Sequence, residues 1–192
     1  MSTSSSPSSP SASSTGALPP DALTQSAYQH CARLAIGMLT ERGGLSPQLF
    51  FVGTPARGND ASTSRVALAG EQALAAFHTS DAGANKLAGF VRDALDAQHE
   101  RGNALARQLG GVAAAVHACH ALLPAHLELP SLADGTPAHT LDDGRSECLL
   151  ISVYLPDGGG YNAYCPVARD AATGALRSAI APLQPIERST AH

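Results

Sequence analysis

Tryptophan is absent from this chain, and aromatic residues make up only 4% of it. A core made without them rests on Leu, Val, Ile and much Ala. Alanine removes little apolar area from water per residue, so modest stability is expected. Lysine is almost missing as well: Lys86 is the only one among 12 basic residues, and the formal net charge is -4. The arginines are scattered, and without a basic stripe to neutralise phosphates a nucleic-acid surface is disfavoured. Their bias, with that of alanine, fits a GC-rich bacterial genome or its phage. The four cysteines, Cys31, Cys119, Cys148 and Cys165, contain no CxxC pair. The N-terminus has no basic region followed by an apolar stretch, so no signal peptide is expected, and a cytoplasmic protein with reduced, buried thiols follows. No apolar run approaches the roughly 20 residues that span a bilayer.

What remains is a chain of 192 residues with 44% hydrophobic content, enough for one core. Residues 1–20, MSTSSSPSSPSASSTGALPP, are nearly all Ser, Pro, Thr, Ala and Gly. Such a segment buries too little apolar surface to offset its ordering entropy and is expected to be a disordered tail. A single α+β domain is expected over 21–186, with a short tail at 187–192.

Within that domain, apolar residues recur at Leu23, Ala27, Cys31, Leu34, Ala35, Met38 and Leu39, a helical stripe between a cap at Asp21 or Thr24 and a stop at Gly43-Gly44. PQLFFVGT at 47–54 reads as a strand, and RVALA at 65–69 as its hairpin partner or the start of a helix through EQALAAF. A second helix is expected from Asn85 to Leu109, with Leu87, Phe90, Val91, Ala94, Leu95 and Gln98 on one face and an interruption at Gly102-Asn103. VAAAVHACHALL at 112–123 fits either a helix or a buried strand. Strands over 147–155 and 161–169, joined by PDGGGY, and a third over 175–183 form an antiparallel meander. The economical arrangement places both helices on one face of the sheet.

The order of these elements resembles that of small uncharacterised bacterial and phage α+β proteins. The likeness is carried by Pro47, Leu49 and Phe50, by Lys86 and Phe90, and by Asp143, Arg145 and Glu147 leading into Leu149 to Val153. In those proteins the strand matching 112–123 contains Glu-Ala-Trp, whereas this chain has His117 to His120 and no Trp. The resemblance implies an α+β fold with a strand at 112–123. It implies no activity.

VHACHALLPAH offers the main candidate chemistry. In a helix His117 and His120 share a face; in a strand His117 and Cys119 share one and His120 points away. Cys148 or Cys165 would complete a mixed nitrogen and sulfur set suited to zinc. Against this, HExxH and paired cysteine spacings are missing. The glycines of PDGGGY lack the following helix and GK[ST] ending of a phosphate loop and read as a hairpin turn. No GxSxG elbow is present, and nothing local activates Cys119 or Cys148 as a nucleophile. Asp142 and Asp143 read as a solvated turn, and Arg145 is positioned to pair with Glu147 along one strand face.

Two functions are carried forward. One is a small non-enzymatic accessory or protein-interaction protein, self-association included, acting through loops 54–64 and 124–146 or an uncovered sheet face. The other is a metal-binding protein or hydrolase using His117, Cys119, His120 or His126 with zinc.

Overall fold

A computed structural model describes residues 19–56, 58, 60–61, 64–69, 74, 83–100, 102–124 and 126–186. Of the expected tails at 1–20 and 187–192, all but residues 19 and 20 lie outside the described residues. Helix α1 spans Ala22–Arg42. The Thr24 N–H donates to the Asp21 carboxylate at 2.7 Å, which satisfies one of the four amides a helix start leaves unpaired. Those Thr24 hydrogen bonds also hold the Asp21 carboxyl below its ordinary value. Gly43 ends the helix at φ 67, a left-handed conformation that costs glycine least.

The described strands build one antiparallel sheet. Strand β1 is Gln48–Gly53 and β2 is Val66–Leu68; helix α2, Gly83–Asp96, runs into a 3₁₀ turn at Ala97–His99, and helix α3 is Ala104–Leu109. Strands β3 (Val112–Leu123), β4 (Ser146–Tyr154), β5 (Gly160–Arg169), β6 (Leu176–Ser178) and β7 (Gln184–Pro185) complete it. The spatial order is β2-β1-β3-β4-β5-β6, with β7 on β5 as well. The expected helix over 85–109 is broken at its anticipated weak point. Asn103 accepts from the Ala106 N–H at 2.9 Å and donates to the Ala97 carbonyl at 3.0 Å, capping α3 and closing the turn before it.

The 112–123 segment is a strand over its whole length. Gly110 takes a left-handed conformation after α3, and the Val112 N–H donates to the Gln98 side chain at 2.9 Å. The segment therefore enters the sheet afresh instead of continuing the helix. Gly53 explains how closely β1 approaches α3: a Cβ there would lie 2.5 Å from the Leu109 carbonyl oxygen. PDGGGY is a hairpin turn, with the Gly158 N–H donating to the Leu155 carbonyl at 3.0 Å and the Gly159 N–H to the Asp157 carboxylate at 2.8 Å.

Alternation along the strands sorts the core into two layers. One contains Phe50, Val52, Val116, Ala118, Leu149, Ile151, Val153, Ala163 and Cys165, packed on Ala27, Tyr28, Cys31, Ala35 and Leu39 of α1. The other contains Leu49, Phe51 and Ala115, packed on Leu87, Val91 and Leu95 of α2. Phe50 and Phe51 are neighbours in one strand, so these layers lie on opposite faces. The expectation of two helices on one face is corrected accordingly: the residues between those facing α1 in β1 are also large and apolar and need their own cover. The expected strand over 175–183 is also shorter, since β6 stops at Ser178. The Tyr28 hydroxyl donates to the Ala181 carbonyl at 2.6 Å, pulling residues 179–183 toward α1 and away from β5.

Candidate functional site

The strand form of β3 decides where its histidines point. His117 lies opposite Leu49 of β1 and Ser152 of β4, and Cys119 lies opposite Leu150, all on the α2 side of the sheet. His120 lies opposite Leu149, on the α1 side. The sheet thus keeps His117 and Cys119 on one face and turns His120 to the other, while His126 is exposed in the following loop. Cys148 shares the Cys119 face through its pairing with Ala121. Burial pushes the Cys119 thiol up to about 11 and the Cys148 thiol up to about 12, the opposite of the depression that makes a nucleophile or a ready ligand. Among the described residues no three His, Cys, Asp or Glu side chains are grouped so as to hold a metal ion.

Where His120 does point, the structure assembles a constellation of four polar side chains. Glu147, at the start of β4, is 5% exposed. Arg169, at the end of β5, grips both its oxygens: Nη2 donates to Oε1 at 2.6 Å and Nε to Oε2 at 2.9 Å. This fork geometry is the strongest an arginine and a carboxylate make. His139 Nδ1 lies 3.2 Å from Oε2, and His120 Nε2 lies 3.8 Å from Oε1. Burial alone would raise the Glu147 carboxyl, but the Arg169 hydrogen bonds and charge, then His120 and His139, hold it below its ordinary value. The pairing expected between Arg145 and Glu147 is not made; Arg145 turns back on Asp143 in the exposed hairpin at 2.7 Å.

Local backbone structure puts His139 there. Strands β4 and β5 pair from Tyr154–Gly160 to Cys148–Pro166 and then separate. The chain at 139 fills the gap: the His139 N–H donates to the Val167 carbonyl at 2.7 Å, and its carbonyl accepts from the Glu147 N–H at 2.8 Å. Four segments distant in sequence therefore meet at one carboxylate.

The other feature of this end of the sheet is an apolar cavity of about 510 Å³ lined mainly by Leu123, Leu127, Leu129, Pro130, Tyr164 and Pro182, with Glu128 and Gln184 as polar groups. It sits where the outer edge of β5 is incompletely paired. The Gly160 carbonyl faces that edge and accepts from Ile186, whereas the Gly159 and Val167 carbonyls face inward, to Leu155 and His139. Even-numbered residues of β5 therefore present their backbone groups outward. Strand β7 pairs at Tyr161 and Asn162 and β6 at Val167 to Arg169. Tyr164, between them, has no strand partner on that side among the described residues. A smaller cavity of about 220 Å³ lies between α2 and the β4-β5 turn, beside Arg92, Asp96, Tyr154 and Asp157.

No protein-family model, curated protein or solved structure matches the chain. The likeness to small bacterial and phage proteins therefore rests on its quoted residues alone. No described helix is long and apolar enough to cross a membrane.

Proposed function

We propose that the chain is a non-enzymatic accessory protein that works by protein contact, and that the contact surface is the cavity beside the open stretch of β5. The observation that carries this reading is the combination of an apolar lining with an unpaired strand edge at Tyr164. An extended segment of a partner chain gains both from such a surface, through main-chain hydrogen bonds to the edge and an apolar side chain in the hollow. Leu127, at 44% exposed, lines the cavity. The partner class is a protein segment of apolar character, from a second copy of this chain or from another protein.

Native mass spectrometry of the full chain, purified gently from its host, tests this. A dimer or hetero-complex that disappears in Leu127→Asp supports the reading. A monomer carrying a stoichiometric metal ion, lost on changing His117 and His120 to alanine, would replace it with the zinc-dependent alternative.

A further inference from the structure

The smaller cavity, between α2 and the β4–β5 turn, collects charges of both signs that the protein itself leaves unused. Arg92 and Asp96 of α2 and Asp157 of the turn all line its volume of about 220 Å³. Other charged side chains are engaged: Asp134 with Arg177, Asp143 with Arg145, Glu147 with Arg169. Arg92 and Asp96, by contrast, form no ion pair or hydrogen bond among the described residues, although one helical turn separates them. Their order along the helix contributes to this, since an acid four residues before a base pairs better than the reverse.

The two acids call for a cation. Asp96 stands in the last turn of α2, which contains no basic residue. A helix C-terminus carries roughly half a negative charge, so a carboxylate there is disfavoured unless a positive group sits beside it. Asp157 is held in place across the cavity by the Gly159 N–H, which donates to its Oδ1 at 2.8 Å. A Cβ at Gly159 would lie 3.0 Å from that oxygen, so the glycine lets the amide come close. The Oδ2 atom of Asp157 is left for another donor.

Arg92 calls for the opposite charge, and its planar fork of donors matches a carboxylate. Side chains one turn apart on a helix have Cβ atoms about 5–6 Å apart, so Arg92 and Asp96 can reach two charged groups of one small molecule. Leu95, 3% exposed, supplies an apolar wall together with Tyr154, Leu155 and Pro156. The volume is below the roughly 300–1,000 Å³ of pockets that take drug-sized ligands. A compact molecule with an ammonium, a carboxylate and a short apolar group fits all three demands.

We propose that this cavity binds a free α-amino acid with a small apolar side chain. Its carboxylate lies on Arg92, its ammonium between Asp96 and Asp157, and its side chain against Leu95 and Leu155. The site shares no lining residue with the cavity beside β5 and stands independently of the protein-contact reading.

NMR titration of the full chain tests it, with L-valine, isobutylamine and isovalerate as probes at matched pH and ionic strength. The last two are valine without its carboxylate and valine without its ammonium. Saturable binding of valine, about tenfold tighter than either half, is expected, the difference that one charge-assisted hydrogen bond makes. Arg92→Gln is expected to bring valine down to the level of isobutylamine and leave isobutylamine unchanged. Asp96→Asn is expected to bring valine down to the level of isovalerate and leave isovalerate unchanged. Both positions are exposed, so the fold withstands the changes, and Asp93→Asn, on α2 but outside the cavity, should alter nothing. Absence of saturable valine binding, binding of either half as tight as valine, or an equal effect of Asp93→Asn would overturn the proposal.

Discussion

Strand β3 passes through two environments, and the contrast between them organises the molecule. From Val112 to Ala118 its residues are buried except for Ala113; from Cys119 to Leu123 they are half-buried or exposed. In the first half α1 and α2 cover opposite faces, and alanines at 114, 115 and 118 let the layers approach closely. In the second half burial falls, and polar groups and loops lie around it: the Glu147 constellation on the α1 side, and the Leu127–Pro130 segment with its cavity beside Leu123 and Tyr164. One end of a single sheet is closed between two helices, and the other is more open.

The contrast can be broken most severely at the closed end. Ile151→Ala, at a fully buried position, is expected to cost about 2–5 kcal/mol, as cavity-forming core truncations do, read by urea denaturation. At the open end Glu147→Ala leaves Arg169 and two imidazoles without their carboxylate. Breaking a well-buried ion pair costs about 3–5 kcal/mol; because the Arg169 side chain is 37% exposed, water takes up part of that. A loss of about 1–3 kcal/mol in the same assay is expected.

Acid sharpens the same difference. The Glu147 carboxyl is lowered in the folded protein from an ordinary value near 4.5. Its contribution to stability is therefore complete above that value and is lost as pH falls through the lower folded one. The stability gap between the wild type and Glu147→Gln should accordingly shrink as pH falls below about 4.5, whereas the cost of Ile151→Ala should not follow that profile. A gap that widens in acid would refute the assignment.

Smaller effects come from the surface. The raised Cys119 thiol should react with iodoacetamide at neutral pH far more slowly than it does in the unfolded chain. Leu127→Asp, at an exposed loop position, should change stability by no more than about 0.5 kcal/mol, while removing the association proposed above.

The closed end was legible in the sequence because it obeys periodic rules. The α1 stripe, its Asp21 cap, the Gly43 stop and the Asp157-Gly158 turn are local signals, read within a few residues of where they act. The Glu147 constellation was not legible, since its members come from 120, 139, 147 and 169 and meet only through strand register. One sign of it was present: Glu147 continues the alternation of Leu149, Ile151 and Val153, and a carboxylate on a core-facing stripe demands a partner. The nearest arginine in sequence, Arg145, pairs with Asp143 instead, and the partner, Arg169, lies across the sheet. The opposite placement of the helices had a sign of its own in Leu49-Phe50-Phe51-Val52, a run with no polar face. Such a run belongs to a strand covered on both sides.

The most direct measurement of the contrast is photo-crosslinking from a benzoylphenylalanine placed at Leu127, compared with one at the exposed turn residue Ala172, in the host cell. The account predicts a discrete adduct, to a second copy or to one other protein, from position 127 and none from position 172. No adduct at 127, or the same diffuse products from both positions, would contradict the claim that the open end of the sheet is a contact surface.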